Sequence, residues 1–476
     1  MAVVFRCDLS QTGAPLPHVW AHTVGSDHAP VALRADWQRQ LQRCHNELGF
    51  RYVRFHGLLS DDMGTLISHD GKLFASFFNA DQVFDFLLSI GMKPFVELSF
   101  MPMALASGRQ TVFRYAGNVT PPADPRAWEA FIRRLIAHWV ERYGVREVQQ
   151  WFFEVWNEPN LKEFWTGTRH EYFRFYENTA RAIKRVESSL QVGGPATAKN
   201  AWIEEFLDFC DGHNVPVDFV STHHYPTDSC GNELQDTDTR LAKNERSLLR
   251  KQAQETRRQA RGKPVYYTEW NTSSNPRDPL HDEPYAAAFV LKTVMEATGL
   301  VEGYSFWAVS DIFGEDYFPS APFHGGFGLL NLHGIPKPTY RVFELLHHVG
   351  TELLSVHGTH TTVDAWVVRD NAGLTVLLAN HALPRHRVGT ERCRIELTHG
   401  ARVSAATVYR IDEAHANPKR LWRRMGEPEY LGSSSVERLQ AASEMRGQRC
   451  PCVHQNGTLA LDITMPPHSV AAVRVP

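Results

Sequence analysis

Two glutamates occupy similar settings in distant parts of the chain. Glu158 lies in Phe153-Glu154-Val155-Trp156-Asn157-Glu158-Pro159-Asn160, and Glu269 in Tyr267-Thr268-Glu269-Trp270-Asn271. Each ends a β-favouring run and has a tryptophan within two residues. Two facing carboxyl groups suit cleavage of a glycosidic bond through an oxocarbenium-like transition state. One protonates the leaving oxygen, the other attacks the anomeric carbon, and the first then acts as base for water. Burial and mutual repulsion raise the donor's pKa and keep it protonated until needed. A lone glutamate at a strand end is ordinarily a salt bridge or a helix cap. The Trp-Asn-Glu-Pro setting argues for more: Pro159 stops the strand just past Glu158, and the Asn157 amide can donate to a sugar hydroxyl. Glu154 and Glu97 read as interior partners.

Something must bring the two glutamates together. Short apolar runs recur at Val19–Gly25, Tyr52–Gly57, Lys93–Ser99, Phe152–Pro159, Val192–Pro195, Phe219–Pro226, Val265–Trp270 and Tyr304–Ser310. Amphipathic helical stretches fall between them: Arg34–Leu48, Ala80–Ser89, Pro125–Arg142, His170–Glu187, Asp238–Gln259 and Glu283–Thr298. Buried strands alternating with helices imply a parallel sheet, and eight such units imply an α/β fold, a closed (β/α)8 TIM barrel. Active groups then sit at the C-terminal ends of the strands, and strands four and seven can meet across the mouth. Beyond about residue 350 the pattern becomes that of a C-terminal antiparallel β-sandwich: Val363–Val368, Leu374–Ala379, Arg392–Leu397, Ala405–Ile411, Leu459–Thr464 and Ser469–Val475. The expected division is an N-terminal strand at 1–13 belonging to the sandwich, a catalytic barrel at 14–345, and the sandwich at 346–476 with a helical insert near 417–443.

Composition narrows the function. The 476 residues carry 50 Lys+Arg against 53 Asp+Glu, a net charge of −3, which offers no field for nucleic acid or an anionic membrane. Twelve tryptophans exceed ordinary core needs, and sugar binding is one use for them. Seven scattered cysteines suggest no disulfide framework, and Cys450-Pro451-Cys452 lacks the spacing of a zinc pair. No metal or other cofactor is expected, because neither His-x-His nor His-Glu-x-x-His appears. No signal peptide opens the chain and no run of 18 apolar residues exists, so a cytoplasmic enzyme acting on a small oligosaccharide is the expectation.

Glu154-Val155-Trp156-Asn157-Glu158-Pro159-Asn160-Leu161-Lys162-Glu163-Phe164-Trp165 resembles the acid/base motif of glycoside hydrolase family 39, which contains β-xylosidases and α-L-iduronidases. The resemblance extends through Arg54–Leu59, His223–Pro226, Tyr267–Asn271, Ser310–Asp316 and Pro322–Gly328. It implies a retaining exo-glycosidase, with Glu158 as acid/base and Glu269 as nucleophile. It also implies substrate contacts from Asn157 (to the 2-hydroxyl), His56, His223, Tyr225, Trp307 as the sugar's floor, and Glu315 as an acceptor for outer hydroxyls. Where family iduronidases resemble one another in a lysine that grips the uronate carboxylate, this chain has Tyr225, which favours a neutral sugar. A pentose suits a mouth crowded by Trp307, Phe313, Phe318 and Phe323, so release of xylose from the non-reducing end of β-xylosides leads. The alternatives are another family activity, a non-catalytic sugar-binding barrel, and an isomerase or aldolase using Gly325-Gly326-Phe327-Gly328 as a phosphate loop.

Overall fold

In the computed structural model, which describes residues 2–228, 236–371 and 373–476, eight strands close into a parallel barrel. They are β1 (Thr23–His28), β2 (Tyr52–His56), β3 (Lys93–Glu97), β4 (Phe152–Glu154), β5 (Gln191–Thr197), β6 (Phe219–His224), β7 (Val265–Trp270) and β8 (Gly303–Phe306). Each strand pairs with its sequence neighbours, and β8 closes on β1.

Helices return the chain after every strand. Beyond the stretches foreseen, Ile203–His213 follows β5 and Pro338–His347 follows β8. The stretch read as one helix over Asp238–Gln259 is two, Thr237–Ala242 and Leu248–Gln259. Their starts carry ordinary signals: Asp124 accepts from Arg126 N ahead of Pro125–Tyr143, and Thr168 with Glu171 forms a capping box at Arg169–Val186. The first strand begins later than its apolar run, because Val19–Ala21 forms a 3-10 turn that buries Trp20. β4 ends at Glu154, so Glu158 stands on a loop and not on the strand.

Aromatic rings plug the bottom of the barrel. Phe95 and Phe152 stack at 4.9 Å, with Phe219, Tyr52 and Tyr266 packed around them. Gly193 makes this possible, since a Cβ there would fall 2.5 Å from the Phe219 ring. With the floor filled by apolar groups, the polar inward-facing residues gather at the top.

The C-terminal unit is one eleven-stranded sheet that folds over on itself. The strand Gln448–Gln455 pairs with Ala405–Ile411 in one layer and with Thr458–Met465 in the other. Val3–Asp8 joins this sheet beside Glu391–Thr398, and the pairing is parallel. Ala14–Pro15 also pairs with it, at Glu352–Leu354, so the N-terminal share of the sandwich runs two residues past a boundary at 13. The 417–443 insert holds two helices, Pro418–Arg424 and Ser433–Ser443. It packs on the barrel: Lys419 Nζ lies 3.0 Å from Glu283, and Trp422 meets Phe323. No helix among the described residues is long and apolar enough to cross a membrane. Cys7, Cys44, Cys210, Cys393, Cys450 and Cys452 are free thiols; Cys230 lies outside the described residues.

Candidate active site

β2 places Arg54 and His56 two residues apart, so both point into the barrel. Arg54 is wholly buried. Its Nε donates to Glu154 Oε2 at 2.6 Å and Nη1 to Glu269 Oε1 at 2.8 Å. Nη2 donates to Asn157 Oδ1 at 2.9 Å and lies 2.7 Å from Glu97 Oε2. One guanidinium thus ties β3, β4, the loop after β4 and β7 together. Burial would push the Glu97 carboxyl up, but Arg54 and His56 outweigh it and hold Glu97 below the usual carboxylate range.

Glu269 ends β7 with both oxygens held. Oε1 takes the Arg54 bond, and Oε2 accepts from the Tyr225 hydroxyl at 3.0 Å. Glu158 differs. Burial pushes its carboxyl up to about 7, against the opposing pull of His56 and Arg54. Trp156 (φ 77°) and Glu158 (φ 45°) sit in the left-handed backbone region, a strain of about 1–3 kcal/mol each. The Glu158 N–H bond to Ala196 O at 2.8 Å and the Trp156 indole bond to Phe164 O at 2.8 Å hold that loop in place.

Thr268 Oγ1 donates to Glu154 Oε1 at 2.8 Å. His223 Nε2 lies 3.1 Å from that hydroxyl and 3.4 Å from Arg54 Nη2, and its Nδ1 lies 2.9 Å from Glu158 Oε1. Burial keeps His223 neutral, with its pKa lowered to about 4.

A cavity of about 430 Å³ opens above these groups. His56, Asn157, Glu158, Tyr225, Glu269, Trp307 and Glu315 all line it. His56 Nδ1 is bound to Glu97 at 2.8 Å, and Nε2 faces Glu269 at 3.5 Å and Glu315 at 3.8 Å. Burial alone would lower the His56 pKa; Glu97 reverses this and raises it. Burial, then Asp27 and Glu269, push the Glu315 carboxyl well above the usual carboxylate range. That shift favours the protonated form, which donates a hydrogen bond as well as accepting one.

Three expectations need correction. His223 does not face the cavity: it is fully buried, and protein groups use both ring nitrogens. Phe313, Phe318 and Phe323 do not crowd the mouth. Phe313 packs edge-on against Trp307, the Arg34 guanidinium lies over Phe318, and Phe323 turns to Trp422; Phe113, Phe164 and Phe327 line the cavity instead. The Gly325–Gly328 loop is no phosphate cradle. Its amides are taken by Asp282 (Gly325 N, 2.7 Å) and Asp311 (Gly328 N, 2.7 Å), with the Lys337 ammonium 2.7 Å from each acid. Arg54 is the residue that reading by type and spacing missed, although the Arg54-Phe55-His56 segment contained it.

A carboxylate oxygen of Glu158, a ring nitrogen of His223 and a carboxylate oxygen of Glu269 lie within 4.8 Å of one another. These are metal-donor types. The positive charge a cation would bring is already supplied by Arg54, and both Glu269 oxygens already accept hydrogen bonds.

A closed (β/α)8 barrel with two carboxyl groups this close at its mouth, one raised and one ion-paired, has the architecture of a glycoside hydrolase. The sequence comparisons agree. The family model described as glycosyl hydrolases family 39 matches residues 3–459, and the chain belongs to that family. It is a hydrolase and closely related to bacterial β-xylosidases. It is 48% identical over 462 residues to a β-xylosidase of Caldicellulosiruptor saccharolyticus, covering 96% of this chain and 95% of the relative. It is 37% identical to one of Geobacillus stearothermophilus, covering 96% and 92%. A crystal structure of the family 39 enzyme from Xanthomonas axonopodis pv. citri superposes with a TM-score of 0.88 at 33% identity, covering 100% of this chain and 97% of the other. Iduronidases are more distant: the mouse α-L-iduronidase is 22% identical, over 92% of this chain and 75% of its own length.

Proposed function

We propose that the protein is a retaining exo-glycosidase that releases xylose from the non-reducing end of β-xylosides and xylo-oligosaccharides. The observation that supports the mechanism is the spacing: an oxygen of Glu158 and one of Glu269 lie within 4.8 Å, the close approach of a retaining pair and not the wider gap that seats both sugar and attacking water between the carboxyls. Retaining enzymes hold these groups about 5–5.5 Å apart and inverting ones about 6.5–9.5 Å.

In the first step the Glu269 carboxylate attacks the anomeric carbon while Glu158 gives its proton to the departing oxygen. Arg54 and Tyr225 hold the two Glu269 oxygens on the line of attack. The Asn157 oxygen is occupied by Arg54, which turns its amide N–H groups to the 2-hydroxyl of the sugar. Trp307 floors the ring, and His56 and Glu315 meet the outer hydroxyls. In the second step Glu158, now a carboxylate, takes a proton from water, and the oxygen of that water replaces Glu269 on the sugar.

The choice of sugar rests on the relatives and on Tyr225. An uncharged phenol hydrogen-bonded to Glu269 gives no charge to pair with a uronate. A cytoplasmic setting is part of the proposal. A panel of aryl β-xyloside, α-L-arabinoside, β-glucoside and α-L-iduronide tests it. The β-xyloside should have the highest kcat/KM, with β-xylose as the first product by NMR. Faster turnover of the iduronide, or α-xylose first, overturns the reading.

A further inference from the structure

The leaving oxygen departs at Glu158, so its remaining group lies on the Glu158 side of the cavity. Phe164, Lys199 and Asp228, from the segments after β4, β5 and β6, wall that side together with Arg240 of the helix Thr237–Ala242. The mechanism above uses none of them.

The loop after β5 is strained. Lys199 (φ 64°), Asn200 (φ 56°) and Trp202 (φ 62°) all occupy the left-handed region that non-glycine residues avoid. Such backbone persists only where its surroundings enforce it, and it gathers at functional sites. Two asparagines enforce it here. Asn160 brackets Ala198, donating to its carbonyl at 3.1 Å and accepting from its N–H at 2.8 Å. Asn200 Oδ1 accepts from the Tyr267 hydroxyl at 2.5 Å and from Thr256 Oγ1 at 3.1 Å. The clamped loop presents Lys199 to the cavity. No hydrogen bond or ion pair engages its ammonium among the described residues, although Glu158 and Asp228 both feel its charge.

Asp228 is the second unused group. Among the described residues its carboxyl makes only long bonds, accepting from Tyr225 N at 3.3 Å and Ser274 Oγ at 3.5 Å. Burial, then the neighbouring Glu158, push it up to about 7, with Lys199 opposing. Arg240, Glu163 and Asp316 are the other charged groups on the cavity wall.

We infer that Lys199 and Asp228 form a leaving-group site that takes the vicinal hydroxyls of a second pyranose. The ammonium donates to one oxygen and the carboxyl exchanges a hydrogen bond with its neighbour, a donor–acceptor pair matched to a diol and not to an aromatic ring. The inference rests on the β-xyloside reading above and names the leaving group as a sugar.

Kinetics of the full chain on xylobiose and 4-nitrophenyl β-xyloside test it. In Lys199→Met the ratio of kcat/KM for xylobiose to that for the aryl substrate should fall about tenfold or more, chiefly through KM, as expected for a lost charge-assisted hydrogen bond. In Asp228→Asn, which keeps an acceptor, the same ratio should fall about threefold. Lys199→Met also removes a positive charge beside Glu158, so the alkaline limb of activity should move to higher pH on both substrates alike, while a merely structural lysine would leave the xylobiose-to-aryl ratio in place. An unchanged ratio in both variants overturns the inference, as does an equal loss on both substrates. Wild-type protein that cleaves the aryl xyloside but not xylobiose also overturns it and leaves the β-xyloside reading standing. Wild-type protein that cleaves neither brings both down.

Discussion

Arg54 carries one positive charge among three buried carboxylates, so its geometry matters as much as its charge. Lysine at this position keeps the charge but cannot reach Glu97, Glu154, Asn157 and Glu269 together, because only the planar fork spans them. Breaking buried ion pairs costs about 3–5 kcal/mol, and loosening Glu269 removes its alignment. Arg54→Lys should therefore lower kcat on an aryl β-xyloside by about 100-fold or more, since even small misplacement is that costly. Steady-state kinetics check this, with circular dichroism to show that the fold survives. The two glutamates should separate cleanly. Glu269→Ala should lose activity whatever the leaving group, and added azide should give the inverted glycosyl azide. Glu158→Ala should keep the first step for a dinitrophenyl xyloside and return the retained azide, while losing about 10²–10⁴-fold on xylobiose, where protonation is required. Equal losses on both substrates, or one azide configuration from both variants, would end the role assignment. With the Glu158 carboxyl at about 7, kcat/KM should fall as pH rises through that value, because the deprotonated group has no proton to give. A pH profile flat to pH 9 would count against it.

At the scale of elements, β1 and β8 meet where Trp307 lies against Gly25. A Cβ on Gly25 would come 2.3 Å from the indole Cε3, so Gly25→Ala must push the cavity's aromatic floor. The expected result is a fall in kcat/KM of about tenfold and a shift in tryptophan fluorescence, with stability lowered by about 1–3 kcal/mol. An unchanged kcat/KM would remove Trp307 from the site. Strands with sharp ends were legible: Val265–Trp270, Ala405–Ile411 and Ser469–Val475 stand where their β-branched runs place them. Glu158 and Glu269 were legible because proline and tryptophan mark their strand ends. What was hidden depends on tertiary context. Ile203–His213 is a short helix entered through Trp202 in the left-handed region, with no capping side chain to announce it. Gln448–Gln455 carries Pro451 and exposes Val453 while half-burying His454, so its residue types show no apolar–polar alternation to mark a strand. Arg54 reads as a surface charge until three strand ends and the loop after β4 are placed around it, and His223 as a ligand until Thr268 and Glu158 are seen to occupy its ring.

At the scale of the whole molecule, the barrel and the sandwich are joined through an unusual buried patch. His381, just past the strand Gly373–Asn380, meets Tyr285 and Phe289 of the barrel helix Pro284–Ala297 at ring distances of 5.0 and 5.5 Å. His468 packs beside it at 6.0 Å. Among the described residues, neither His381 ring nitrogen nor the Tyr285 hydroxyl has a hydrogen-bond partner. Burial, then the nearby His468, Arg246 and Lys292, hold His381 well below the usual histidine range. Arg246 and Lys292 are themselves anchored on Asp364 and Glu296. The folded protein thus keeps His381 neutral, while the unfolded chain binds a proton at about pH 6.5. As pH falls below that value the unfolded state gains protons that the folded state refuses, and stability drops by about 1.4 kcal/mol per pH unit for this one group. Glu158, Asp228 and Glu315, whose pKa values are raised, act in the opposite direction over the same range, so the total slope is not diagnostic. The difference between variant and wild type is. His381→Phe fills the same space with an apolar ring and has nothing to protonate. Its Tm relative to wild type should rise steadily between pH 7.5 and 5, and be constant above pH 7.5. A Tm difference independent of pH would show that His381 is protonated, or solvated, in the folded protein, and that the interface is not held by a neutral imidazole.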